Sequence, residues 1–250
     1  MKTVELFSVL VADIDYNGIE AWITNAFASG LRQQYMVSAN AQVMACSLRD
    51  PEYRRALQSA ALVWADGAGV TLASRIAGVP INNRVPGRVV FPGLYKAAVE
   101  HGYSMFVLGA AGGVAQKALS ELEAKYRAVN CESHAPPMGF FKGEKGSLDE
   151  VVTMVNNFSP DILILAASEP YGTQWIADHI LKLQVGVAMN VGQGVDIAAG
   201  IKGVCPISWS QWGLEWVWRG CNDPRILTRY RDFPLVGMYA FLQRLGKKLA

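Results

Sequence analysis

The stretch 61-ALVWADGAGVTLASRIAG-78 passes from five apolar or small residues, through an acidic residue and a glycine turn, into a helical pattern closed by Gly78. A short continuous apolar run bounded by turn residues reads as a strand buried on both faces. The turn–helix that follows is the first half of a βαβ unit. The lone carboxylate, Asp66, therefore falls at the carboxyl end of a strand, where open α/β sheets place their ligands.

The same alternation extends in both directions. Residues 4–12, 35–40, 103–109, 161–167 and 185–192 read as strands. Helical patterns cover 17–30, 41–48, 51–58, 113–126, 148–157 and 173–183. This is an α/β fold: a Rossmann-like parallel sheet with helices on both faces. From about residue 203 the alternation stops. The organisation read from the sequence is an α/β domain over 1–202 and a helical, basic and aromatic-rich appendage over 203–250.

At 250 residues the chain is long enough to bury a core without disulfides or metal. Half of it (51%) is hydrophobic and mean hydropathy is +0.17, yet no run reaches the roughly 18–20 apolar residues of a membrane span. The N-terminal apolar stretch is interrupted by Glu5 and closed by Asp13 and Asp15, with no cleavage site behind it, which argues against a signal peptide. Four dispersed cysteines without a CxxC pair fit free thiols in a reducing cytosol. Three histidines at no ligand spacing supply neither a histidine metal centre nor a serine-protease-like triad.

The net charge of +2 hides an asymmetry. From Trp216 onward there are seven basic and two acidic residues, against 16 basic and 19 acidic before it. A basic, aromatic tail on a mildly acidic body points to an anionic partner, a membrane surface more than nucleic acid.

Three features invite chemistry, each with a plainer reading. Asp66 can act as a general base or cap the following helix, and the two are compatible. The loop 109-GAAGG-113 joins a strand to a helix, as phosphate-binding loops do, and equally makes a tight turn. The arginines of 219-RGCNDPRILTRYRD-232 (Arg219, Arg225, Arg229 and Arg231) can hold a diphosphate or lipid headgroups, or cover a solvated helix.

The block 66-DGAGVTLASRIAGVPINNRVPG-87 resembles the signature of the WecG/TagA/CpsF glycosyltransferase family (family 26). The resemblance continues in order through 105–126, 139-GFF-141, 160-PDILIL-165, 175-WI-176, 191-VGQGVDIAAG-200 and 213-GLEWVWRGCNDPRILTRY-230. It implies an inverting transferase at the cytoplasmic face of the inner membrane, peripherally attached. A sugar of the N-acetylmannosamine type, or a related one, would pass from a UDP-sugar to a sugar on a polyprenyl diphosphate, in cell-surface polysaccharide synthesis. No metal is expected, which suits a chain lacking a DxD motif. Homo-oligomers are compatible with the resemblance.

Carried over by position, Asp66 is the expected general base and Arg84 the arginine of the RVxG motif. Ser38 and Asn40 stand at a Thr-x-Asn pair lining the pocket. Gly109, Gly112 and Gly113 are expected near the donor. Gln193 and Asp196 lie in the nucleotide segment, where an aspartate suits ribose hydroxyls. Phe140 stands where a tyrosine is frequent and is expected to support the uracil ring. The four tail arginines are expected to face the lipid diphosphate.

Three departures stand out. Where the family pattern reads G-x-P-K-Q-E the chain reads 168-SEPYGT-173, and Gln174 lies two positions from the motif's glutamine. G-G-A-F-D becomes 192-GQGVD-196, and the acidic residue after RVxG is Arg88. Retention of Asp66 and Arg84 favours changed sugar specificity, with a hexose as an alternative donor sugar. Rival readings are a non-catalytic member that binds nucleotide sugar or scaffolds a membrane synthase, and a nicotinamide enzyme, which the lack of a strict dinucleotide fingerprint disfavours.

Overall fold

The computed structural model describes residues 1–206, 208–209, 212, 215–222 and 232–246. Eight strands form one sheet: β1 Thr3–Leu6, β2 Val9–Ala12, β3 Gln34–Ala39, β4 Leu62–Ala65, β5 Met105–Gly109, β6 Cys131–His134, β7 Ile162–Ala166 and β8 Val187–Asn190. Their order is β1-β2-β4-β3-β8-β7-β5-β6, parallel throughout except for β1, which pairs antiparallel with β2. The α/β architecture expected from the sequence is therefore present.

Nine helices wrap the sheet before residue 203: α1 Tyr16–Ala28, α2 Ala41–Arg49, α3 Pro51–Ser59, α4 Ala68–Ile76, α5 Gly87–His101, α6 Val114–Lys125, α7 Leu148–Phe158, α8 Tyr171–His179 and α9 Gly194–Ala198. Alternate strand residues feed two cores. Val63, Phe106, Leu163 and Ala188 face α2, α3, α4, α7 and α8. Leu62, Trp64, Val107, Ile164 and Met189 face α1, α5, α6 and α9. This period of two explains the near-continuous apolar runs: each face has helices to bury it. Burial of a large apolar side chain is worth about 1.5–3 kcal/mol, and most strand residues are fully buried.

Two departures from the sequence reading are physical. Residues 4–12 form a hairpin rather than one strand. Its two-residue turn, Phe7 and Ser8, has φ of 55° and 63°. Neither is a residue that usually supplies positive φ, so the turn carried no signal. Phe7 is fully buried, and its N–H donates to Gln243 Oε1 at 3.0 Å, so tertiary packing holds the turn. The 15-residue α5 was not anticipated either, because Pro92 sits inside it and cannot donate to the carbonyl four residues back.

Beyond residue 202 a helix spans Glu215–Asn222 and another Phe233–Arg244. The second rests on α2 and α4, with Val236 and Ala240 buried in the sheet's core. Asp232 pairs with Arg49 at the end of α2 (2.6 Å), and Gln243 also donates to Glu5 O. Among the described residues no helix is long and apolar enough to cross a membrane.

Candidate active site

Adjacent strands β3 and β8 send their connections to opposite faces, β3 into α2 and β8 into α9. A reversal of this kind opens a crevice at the carboxyl ends of the strands. A cavity of about 450 Å³ lies there, walled by the ends of β3 (Ser38, Asn40), β4 (Asp66), β7 (Ala166–Glu169) and β8 (Asn190–Gly194, then Asp196), with Gly87 and Arg88 opening α5.

Asp66 reaches this crevice through strand register. Ala39 pairs with Ala65, and Asp66 N–H donates to Ala39 O at 2.9 Å, setting Asp66 directly after β4 and beside the end of β3. The N-cap of α4 is Gly67, so Asp66 is not the capping residue. Its Oδ2 accepts a hydrogen bond from Ser38 Oγ at 3.0 Å. Asn40 does cap a helix: its Oδ1 accepts from Val43 N–H at the start of α2, while the residue lines the cavity.

Arg84 is placed by a clamp. Trp64, fully buried, donates its indole N–H to Val85 O at 2.8 Å, and Val85 N–H donates to Ala65 O. Asp13 accepts four hydrogen bonds from Asn82 and Asn83. Burial alone would raise the Asp13 carboxyl, but these donors and Lys2 outweigh it and hold it below its ordinary value. Arg84 lines two grooves beside the cavity. One, about 600 Å³, runs along α4 and the last helix past Leu72, Arg75, Trp212 and Phe233. The other, about 580 Å³, shares Arg88 with the cavity.

Ser38, Asn40, Asp66, Gln193 and Asp196 thus converge on one cavity. The glycine loop ends the next strand over. Gly109 (φ 108°) leaves no room for a Cβ, which would meet Ala166 O at 2.8 Å, and Gly113 (φ 80°) is the N-cap of α6. Neither these glycines nor Gly112 line the cavity. Phe140 is buried against Phe141 and Trp175 in the core. Only the backbone of Arg219 is described, and Arg225, Arg229 and Arg231 lie outside the described residues. Gln174 donates to Asp178 Oδ1 and lines a groove at the amino ends of the strands, so it does not stand in for the motif's glutamine.

Asn190, Ser168 and Glu169, which the sequence marks as strand-end residues, line the cavity as well; sequence reasoning did not single out Gln42 or Lys202, which also line it. Lys202 pairs with Asp196 at 3.6 Å. Their only signal is proximity to strand ends, and that needs the strand order. Among the described residues, the one cluster of side chains close enough to share a metal ion is Glu20, Glu100 and His101. His101 is the last residue of α5, roughly 20 Å from Gly87 at a rise of about 1.5 Å per residue.

The arrangement provides three carboxylates (Asp66, held by a hydroxyl, Glu169 and Asp196), two cations and a helix amino end around one crevice. That is a site for moving a proton beside an anionic ligand. The family model for the glycosyl transferase WecG/TagA/CpsF family matches residues 4–250. The chain belongs to that family. As a member of the WecG/TagA/CpsF family it is a glycosyltransferase. It is similar to the N-acetylglucosaminyldiphosphoundecaprenol N-acetyl-beta-D-mannosaminyltransferases of Staphylococcus aureus strains MW2 and NCTC 8325 / PS 47. Identity to each is 26% over 213 residues, covering 85% of this chain and 80% of each relative.

Proposed function

We propose that this WecG/TagA/CpsF member transfers a sugar from a UDP-sugar to a saccharide carried on a polyprenyl diphosphate, with inversion, during synthesis of a cell-surface polysaccharide. The observation that carries the reading is Asp66, held by Ser38 in a cavity at the switch point of the sheet. Asp66 takes the proton of the acceptor hydroxyl as its oxygen attacks the anomeric carbon. General base catalysis of this kind supplies about 10²–10⁴-fold.

Charge builds on the departing UDP. Arg88, Lys202 and the amino end of α5 line the cavity and would meet that charge, which supports a reaction that proceeds without a divalent metal. Gln193 and Asp196 flank the nucleotide. The groove of Arg84, Arg75, Leu72, Trp212 and Phe233 suits an amphiphile with an anionic head, as a polyprenyl diphosphate is. Leu72 on α4 and Trp212, Met238, Phe241 and Leu245 in the C-terminal segment are exposed apolar side chains, which fit docking at a bilayer. The similarity to S. aureus enzymes named for a diphosphoundecaprenol acceptor supports the same acceptor class here.

The test is incubation of purified protein, in EDTA, with a panel of UDP-sugars and synthetic polyprenyl-diphosphate saccharides, read by mass spectrometry. An acceptor heavier by one sugar residue is expected. UDP binding without product from any pair would favour a non-catalytic, nucleotide-sugar-binding role.

A further inference from the structure

The segment 168-SEPYGT-173, where Lys-Gln-Glu of the family pattern is replaced by Tyr171, Gly172 and Thr173, forms a complete network of its own. Gly172 packs under Asn190. A Cβ at 172 would collide with Asn190 Nδ2 and come within 3.0 Å of Ala167 Cβ, so a glutamine there is incompatible with Asn190 as placed. Asn190 is only 6% exposed. Its Oδ1 accepts from the N–H groups of Ala167 and Gly192, and its Nδ2 donates to Ala167 O and, at 2.8 Å, to Glu169 Oε1.

Two further donors meet the same carboxylate. Thr173 Oγ1 donates to Oε1 at 2.6 Å, and the buried Tyr53 hydroxyl donates to Oε2 at 2.9 Å. Burial first, and the Glu169 carboxylate second, push that hydroxyl well above its ordinary pKa, so it remains a donor. Gln42 Nε2 donates to the Glu169 carbonyl at 3.3 Å. Side chains from α2, α3, α8 and the end of β8 thus fix Glu169, which lines the cavity of Asp66. The motif's glutamate position is held by a threonine, and a carboxylate is supplied four residues earlier. A pocket that had merely decayed would leave such groups without partners, at a cost.

The replacement has a chemical direction. Lysine and glutamine, two donors, give way to Tyr171 and Gly172, while a fixed carboxylate stands in the wall. An ionised carboxylate only accepts, and with about four lone-pair sites it has capacity beyond the three bonds it takes here. An acetamido carbonyl needs a donor opposite it; a sugar hydroxyl can donate. We propose that Glu169 determines donor specificity by accepting a hydrogen bond from a hydroxyl of the transferred sugar, so that this chain uses a hexose in preference to an N-acetylhexosamine. The proposal rests on the UDP-sugar reading above.

The experiment compares wild type, E169Q and E169D in two measurements. One is calorimetric binding of UDP, UDP-glucose and UDP-N-acetylmannosamine. The other is transfer from each sugar donor to one polyprenyl-diphosphate acceptor. Wild type is expected to favour the hexose donor in both. In E169Q that preference falls about 10- to 100-fold, the size of a lost hydrogen bond to a charged group, while UDP binding is unchanged. E169D restores part of the preference, which a merely structural role would not predict. Equal losses for both donors in E169Q, or a wild type that favours the acetamido donor, would overturn the proposal. If transfer is absent but the binding preference is present in wild type and lost in E169Q, the reaction assigned above fails and the role of Glu169 stands. Transfer with the ranking unchanged in E169Q is the reverse case.

Discussion

Ser38 Oγ donates to Asp66 Oδ2 at 3.0 Å, joining the ends of β3 and β4 across the floor of the cavity. Ser38 is 8% exposed, so its hydroxyl orients Asp66 from the protein side rather than from solvent. The bond lets Ser38 position Asp66, the carboxylate proposed above to meet the acceptor hydroxyl.

Asp66→Asn keeps the shape and removes the proposed base. Transfer should fall by about 10²–10⁴-fold with UDP affinity unchanged. Ser38→Ala should cost less, about tenfold in kcat, the lower end of the worth of one hydrogen bond to a charged group. A D66N/S38A double variant should be no worse than D66N alone, because the serine acts through the carboxylate. Steady-state kinetics and calorimetric UDP binding check all three, and an active D66N would move the base elsewhere.

The Arg84 loop should be acid-sensitive. Asp13 binds Asn82 and Asn83 and its carboxyl is held below the ordinary value of 3.8. A lowered pKa in the folded state means that this stabilisation is complete above the unfolded value and is lost as pH falls. Asp13→Ala should therefore mimic acidification: hydrogen exchange at residues 82–85 speeds up and transfer drops, while UDP binding is retained. Unchanged exchange in the variant would show that Trp64 alone holds the loop.

Much of this was legible in the sequence because its cause is local. A strand buried on both faces reads as an apolar run, and the residue that ends it is at the ligand edge; Ser38, Asn40, Asp66, Gln193 and Asp196 were found on that ground together with the family resemblance. What stayed hidden depends on neighbours distant in sequence. The turn at Phe7 and Ser8 is held by Gln243, more than 200 residues away. Asn190 meets Glu169 only because β8 lies between β3 and β7. The helix α5, which brings Gly87 to the cavity that Ser38 lines, was masked by Pro92.

Gly172 gives a stability prediction separate from catalysis. Gly172→Ala forces a methyl against Asn190 and Ala167 and should cost about 1–3 kcal/mol, the usual penalty for overpacking. For a chain of this length that lowers Tm by roughly 2–4 °C per kcal/mol. Asn190→Ala in the same background removes the obstructing amide and should recover part of the packing penalty, although it removes a donor to Glu169. Thermal melts of wild type and the two variants test this, and an unchanged Tm for G172A would show that Asn190 has another place to go.

The C-terminal helix needs a gentler variant than deletion. Val236 and Ala240 are buried in the main core, Gln243 bonds the first hairpin and Asp232 pairs with Arg49. Truncation before Asp232 would therefore expose core and confuse unfolding with loss of membrane binding. Met238, Phe241 and Leu245 follow helical spacing on the opposite side and are 52–55% exposed, so they contribute little to the fold. A triple change to serine should leave Tm within a few degrees and abolish co-sedimentation with anionic liposomes. Transfer to a short-chain, water-soluble acceptor should persist, while transfer to a full-length polyprenyl acceptor in vesicles should fall. Liposome binding that survives the triple change would assign docking to the tail outside the described residues, where Arg225, Arg229 and Arg231 lie.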